Sequence, residues 1–166
     1  MDFAVYDNRQ ILSDEKLVNW IIDLTVDNLS YIYGSDMGNE EDRQLWTENN
    51  LKDDSLGYKA VVASKNDKKL GFLSYTINDR ILTVHDIEIS KDDRFNPILL
   101  LGLFRKVLYE NCEKYDGIKG YINKQNKTSM DCFLKYASEI TERPRGYSFT
   151  IDEYTKNRIC RRLSHL

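Results

Sequence analysis

The chain has 166 residues, 41% hydrophobic and 31% charged, a balance that suits one folded domain and excludes a disordered segment. Its net charge of −3, from 24 basic and 27 acidic residues, argues against a general nucleic-acid binder. No stretch has the apolar length of a membrane span, and the N-terminus lacks a signal-peptide layout. With Cys112, Cys132 and Cys160 odd in number and without metal-type spacing, the expectation is a cytoplasmic protein with reduced thiols.

In chain order, residues 3–6 form a short apolar run that reads as a first strand. Ser13 is placed as the N-cap of a long helix, with Asp14 and Glu15 where the dipole favours negative charge. Leu17, Trp20, Ile21 and Leu24 follow at helical spacing, Val18, Ile22, Leu29 and Ile32 widen the stripe, and Gly34 is a natural stop. The stretch 35–55 turns acidic through Asp36, Glu40, Glu41, Asp42, Glu48, Asp53 and Asp54, with a short helix at Glu40–Asn50 anchored by Leu45 and Trp46. It is either a solvated segment or a wall that draws in a cationic substrate by long-range charge.

Residues 58–64 and 70–77 are apolar runs on either side of Lys65-Asn66-Asp67-Lys68, which reads as an antiparallel hairpin. Asn78-Asp79 turns the chain into a third strand, Ile81–Ile89. Simple alternation puts Ile81, Thr83, His85, Ile87 and Ile89 on one face, and Leu82, Val84, Asp86 and Glu88 on the other. A charged loop then leads to Asn96-Pro97, a good helix start because Asn caps free N–H groups and Pro is tolerated at the first position. A helix N-terminus reached directly from a buried strand is a ready anion site. The helix itself (Ile98, Leu99, Leu100, Leu101, Leu103, Phe104) is apolar on most of its surface and must be covered by a sheet.

Gly117–Asn123 reads as the next strand, and Asn126 as the N-cap of a helix carrying Met130, Phe133, Leu134 and Ala137. Pro144-Arg145-Gly146 marks a loop and 147–151 a last strand. The basic end, with Lys156, Arg158, Arg161 and Arg162, is an amphipathic helix or a frayed tail whose cations either solvate a helix end or touch phosphates. The order describes a single α/β domain over residues 1–166.

A strand–loop–helix unit after an antiparallel meander resembles the GCN5-related N-acetyltransferase (GNAT) superfamily. Two runs carry the likeness. Arg94-Phe95-Asn96-Pro97-Ile98-Leu99 stands where the family has Q/R-x-x-G-x-G/A, whose backbone N–H groups hold the pyrophosphate of acetyl-CoA. Asn126-Lys127-Thr128-Ser129, with Phe133 and then Ala137-Ser138, stands where the family has N-x-x-A, a Tyr and a G-F pair. Pro97 and Leu99 replace the two small loop residues: one N–H is missing, and a side chain is expected to crowd the ligand. Phe133 replaces a Tyr that protonates the leaving thiolate, and Tyr136 is the candidate substitute.

The resemblance implies a GNAT-like single domain with a mixed, mostly antiparallel sheet flanked by helices. It implies acetyl transfer from acetyl-CoA to a cationic amine acceptor, a small molecule or a protein. Arg94, Phe95, Asn96, Ile98 and Leu99 would then hold the pyrophosphate, Ile87 and Ile89 would offer main-chain bonds to the pantetheine arm, and Asn126 and Phe133 would lie on the cofactor side. Glu88 or Asp86 would serve as base. From the residues alone these two carboxylates share a strand face at most about 7 Å apart; they either accept a proton and attract an amine, or pair with Lys or Arg on a polar face. The Pro97, Leu99 and Phe133 replacements leave a second reading open, a catalytically inactive GNAT fold that binds a protein partner.

Overall fold

Charge-rich turns and apolar strands arrange the chain around one seven-stranded sheet. The structure is a computed structural model that describes residues 1–34, 39–51, 57–94 and 96–165. Phe95, Asp36, Asp53 and Asp54 lie outside the described residues. The elements are β1 (Asp2–Asp7), α1 (Asn8–Ser13), α2 (Glu15–Tyr33), α3 (Glu40–Asn50), β2 (Lys59–Lys65), β3 (Lys68–Asn78), β4 (Ile81–Ile89), α4 (Pro97–Phe104), β5 (Gly117–Asn123), α5 (Lys127–Phe133), β6 (Glu139–Arg143), β7 (Gly146–Ile151) and α6 (Glu153–Leu163). A wider helical turn at Arg105–Tyr109 prolongs α4. The strand order is β1-β2-β3-β4-β5-β7-β6, antiparallel except where β4 meets β5. Among the described residues no helix is long and apolar enough to cross a membrane.

Two apolar layers sandwich the sheet. On one side Ile11 of α1 and Leu17, Ile21 and Leu24 of α2 pack on Ala60, Val62 and Phe72. On the other, Leu99 and Leu103 of α4 and Leu163 of α6 pack on Val61, Ala63, Leu73 and Leu82. β2 is buried on both faces, which is why its sequence is a continuous apolar run rather than an alternation. α4 is covered on its Leu99–Leu103 side alone, leaving Ile98 70% exposed.

Local chemistry explains the boundaries. The long helix begins after Asp14, whose carboxylate accepts the Leu17 N–H at 3.1 Å, so Asp14 and not Ser13 is its cap. Residues up to Ser13 are taken into α1, closed by a reciprocal Asp7–Gln10 capping box. Gly34 ends α2 in the left-handed region, as its position suggests. Asn66-Asp67 and Asp79-Arg80 both have positive φ, the geometry of tight hairpin turns that match strand twist. The second turn therefore sits one residue later than Asn78-Asp79, and Arg80 is free to clamp Asp116 bidentately at 2.6 and 2.7 Å.

β4 breaks the simple alternation. Ser74 pairs with Asp86 and Tyr75 with Val84, so His85 is an extra residue, a β-bulge. Leu82 and Val84 before it, and Ile87 and Ile89 after it, all pack in the α4 layer. His85, Asp86 and Glu88 face the α2 side, where His85 Nε2 lies 3.1 Å from Thr76 Oγ1. The expected grouping of Leu82 and Val84 with the carboxylates, and of His85 with Ile87 and Ile89, is thus reversed by one inserted residue.

The bulge sits where β4 leaves β5. The two pair in parallel only from Ile81–Gly117 to Thr83–Lys119 and then separate. Gly71 lets β3 follow β4 closely past this point: a Cβ there would lie 2.7 Å from the Glu88 carbonyl oxygen. Gly71→Ala is expected to destabilise the fold by about 1–3 kcal/mol through overpacking. That is a midpoint several degrees lower in thermal unfolding for a chain of this size.

Candidate active site

Where β4 and β5 part, a cleft opens. One lobe, of about 230 Å³, is lined by Asn28, Tyr31 and Ile32 of α2, Ile87, Glu88 and Ile89 of β4, Arg94, Leu100 and Phe104, and by Asn126, Thr128, Ser129, Cys132 and Phe133 around α5. A second lobe of about 180 Å³ shares Ile32, Ile87, Glu88, Asn126, Ser129 and Phe133, and extends along His85, Asp86 and the β5 residues Gly120–Asn123. Glu88 lies at the junction.

Asn28 holds that junction together. Its side-chain nitrogen donates to Glu88 Oε2 at 2.5 Å and to the Ile89 carbonyl at 3.2 Å. Its side-chain oxygen accepts from an Arg94 terminal nitrogen at 2.6 Å. Both N–H donors and one of the two acceptor sites of this buried amide are therefore used, and Arg94 fixes which way the amide points. The Arg94 guanidinium also lies over the Tyr31 ring, 4.1 Å from its centroid. Arg94 is the one cation among the described residues that line the cleft.

Burial is the largest influence on the Glu88 carboxyl and pushes its pKa up to about 8; Asp86 pushes the same way, while Asn28 and Arg94 oppose it. Asp86 is raised too, chiefly by burial, and its Oδ2 accepts the Ser74 hydroxyl at 2.9 Å. His85 is lowered, again by burial. A carboxyl poised near neutrality in a cleft is suited to taking a proton from an amine, which a carboxylate at the ordinary acidic pKa does poorly.

The other expected residues are placed as follows. Ile87 and Ile89 lie on the stretch of β4 that has left β5, where one backbone edge has no strand partner among the described residues. Asn126 caps α5 by accepting the Ser129 N–H at 3.0 Å and lines both lobes. Phe133 fills the cleft wall between Phe104 and Phe149, both 5.6 Å away by ring centroid. Asn96 caps α4 by accepting the N–H groups of Ile98 at 3.1 Å and Leu99 at 3.3 Å. Those two groups, expected to face a ligand, are therefore already engaged. The Leu99 side chain is fully buried in the core and crowds nothing in the cleft, contrary to the expectation.

Tyr136 does not join this group. α5 ends at Phe133 and is followed by a narrower turn, Leu134–Tyr136; Tyr136 lines a separate hollow against α6. The acidic α3 does not line the cleft either; its Arg43 pairs with Asp23 at 2.7 Å, and Leu45, expected as an anchor, is 54% exposed. Asn28 and Tyr31 escaped the sequence reading. The available signal was Asn28 seven residues after Ile21 and four after Leu24, a polar residue on the buried stripe of α2.

The chain has the fold of the GNAT acetyltransferases. It is similar to the PaiA N-acetyltransferase of Thermoplasma acidophilum, solved with coenzyme A, at a TM-score of 0.62 and 9% identity over 92% of this chain and 99% of that one. Against Tetrahymena GCN5 the TM-score is 0.63 with 14% identity, over 92% and 96% of the two chains. Against spermidine N-acetyltransferase of Vibrio cholerae, solved with CoA and spermine, it is 0.61 with 11% identity, over 93% and 98%. No protein-family model matches the sequence, and no curated protein matches it significantly.

The raised Glu88 pKa ties stability to pH. The folded chain holds this proton more tightly than the unfolded one, whose Glu titrates near 4.5, so the contribution is complete below about 4.5 and is lost as pH rises through about 8. Denaturant unfolding of wild type and Glu88→Gln across that range is expected to show a smaller loss in the variant, with Asp86 supplying the remaining slope. Equal losses would place the titration elsewhere.

Proposed function

On this fold, we propose an acyl-CoA-dependent N-acyltransferase that moves an acetyl group from acetyl-CoA to a primary amine of a small molecule or protein. The observation that carries the reading is Glu88. It is a carboxyl raised to about 8, oriented by Asn28, at the junction of two cleft lobes. Two similar folds were solved with coenzyme A and one of these also with spermine, which supports a CoA thioester in one lobe and an amine in the other. With its three cysteines unpaired, the reading is of a cytoplasmic enzyme.

Acetyl-CoA supplies the activated acyl group as a thioester; the rest falls to this chain. Glu88, above its pKa, accepts a proton from the acceptor ammonium and leaves a free amine. Asp86 adds negative potential that favours a cationic acceptor. Arg94 and the α4 N-terminus take the pyrophosphate, the β4 edge without a strand partner among the described residues, at Ile87 and the Ile89 N–H, bonds the pantetheine amides, and Asn126 lies on the same side. Two connected lobes, and Arg94 as the one cation among the described residues that line them, support this assignment. At α4 the ligand has to take the Ile98 and Leu99 N–H groups over from Asn96. Phe133 has no proton to give the departing thiolate, which is then protonated by water.

One observation favours a second reading, a catalytically inactive binding module. Asn96 already satisfies the donors that acetyl-CoA needs, and Pro97 offers none.

Thermal unfolding with acetyl-CoA separates the two. A ligand at a hundred times its dissociation constant adds about 2.7 kcal/mol, a rise of roughly 5–10 °C for this size of chain. No shift at saturation would retire the transferase reading. With a shift in hand and a polyamine included among the acceptors, Glu88→Gln is expected to lower turnover by about a hundredfold or more while keeping the acetyl-CoA shift. The wild-type rate should rise with pH through about 8.

A further inference from the structure

The structure divides the basic cluster near the end of the chain in two. Lys156 is 4% exposed, donates to the Cys112 carbonyl at 3.1 Å and lies over the Tyr115 ring at 5.3 Å, so it belongs to the interior. Arg158 and Arg162 instead line a hollow of about 270 Å³, together with Thr155 and Ile159 of α6 and with Lys135, Tyr136 and Ala137 after α5. Thr155, Arg158, Ile159 and Arg162 are spaced by three, four and seven residues, which brings them onto one face of the helix.

The hollow gathers positive charge with no carboxylate beside it among the described residues. Several cations elsewhere in this acidic chain do find carboxylates: Arg43 with Asp23, Lys68 with Asp92, Arg80 with Asp116, Lys106 with Glu110, Lys124 with Glu142. Among the described residues, none of Lys135, Arg158 and Arg162 makes an ion pair, and no carboxylate lines the hollow. Asp152, at the start of α6, is committed to the Thr155 N–H at 2.8 Å. Lys135 and Arg158 are held instead near the rings of Tyr136 and Tyr154, at 5.1 and 5.8 Å, contacts that leave their N–H donors available.

We infer that this hollow is a second ligand site, distinct from the β4–β5 cleft, which binds a small phosphorylated anion between Lys135, Arg158 and Arg162. Three convergent cations with hydroxyls from Thr155 and Tyr136 match a phosphoryl or diphosphoryl group, to which guanidinium forks bond in charge-assisted pairs. The size of the hollow suits a group of that kind, and the overall acidity of the chain disfavours an extended nucleic acid. The inference is independent of the acyltransfer reading, because no residue of the hollow lines the cleft.

Pyrophosphate titrated calorimetrically into the full chain at constant ionic strength tests it. Saturable binding is expected. Arg158→Ala with Arg162→Ala should weaken it by about tenfold or more per charge-assisted bond lost, and Lys135→Ala should weaken it alone. Arg94→Ala removes the cation of the proposed cleft site, which the same probe also reaches, and the binding event that remains in that variant should keep its affinity within about twofold. Both arginines are exposed, and circular dichroism verifies that the variants fold. Absence of saturable binding overturns the proposal. So does an affinity lost in Arg94→Ala but kept in the double variant, which would place the anion in the cleft.

Discussion

One extra residue in β4, His85, governs what the cleft contains. Without it, strand alternation would turn Asp86 and Glu88 into the α4 layer, against Leu103 and Leu73, where charged groups have no solvent and no partner. With it, the apolar residues on either side of the bulge stay in the core and both carboxyls face α2. The same bulge bends β4 away from β5, while the Arg80–Asp116 clamp keeps the opposite ends of these strands together. An exposed ion pair of this sort is worth little in global stability. Its bidentate geometry nevertheless fixes the turn from which the two strands diverge, and so the mouth of the cleft follows from one inserted residue and one pinned turn.

The electrostatics follow from that geometry. A carboxyl brought into a cleft roofed by α2 loses much of its hydration, which raises its pKa. Asn28 limits the rise by donating to it, and can do so because Arg94 occupies the other end of the amide. The Asn28 bridge links the one cation described at the cleft with the carboxyl proposed as base. Truncating Asn28 would take a hydrogen bond from three polar partners, Glu88, the Ile89 carbonyl and Arg94, a larger loss than that of a single exposed hydrogen bond.

Much of this architecture was legible in the residues. β4 and β5 were read with the bounds observed, and helices at Glu40–Asn50 and after Pro97 were expected, because apolar periodicity, caps and turns agreed there. β6 was missed: all five of its residues are exposed, so no burial pattern marks it. The reversal of faces in β4 was missed because a bulge leaves no trace in composition. Asn28 is the instructive case. It sits in a stripe read as apolar, and only the return of β4 past α2, sixty residues later, gives a polar residue there its partners. Tyr136 follows the end of α5 and lines the hollow against α6, a placement that the spacing from Phe133 alone does not reveal.

The degenerate loop before α4 can be weighed by magnitudes. The Asn96 cap satisfies two N–H groups and is worth about 1 kcal/mol in such positions. A diphosphate that takes over the same donors gains charge-assisted hydrogen bonds of about 1.5–3 kcal/mol each. Losing the cap therefore costs less than the anion returns, and Pro97 removes one donor without disturbing the helix direction or its dipole. On this balance the Asn-Pro start is expected to lower the affinity of the proposed pyrophosphate site by about an order of magnitude and not to abolish it. The burial of Leu99 removes the steric objection that a Leu at that position raises on paper. The replacements in this loop thus argue for a weakened anion site rather than a lost one, which is why the acyltransferase reading stands ahead of the binding module.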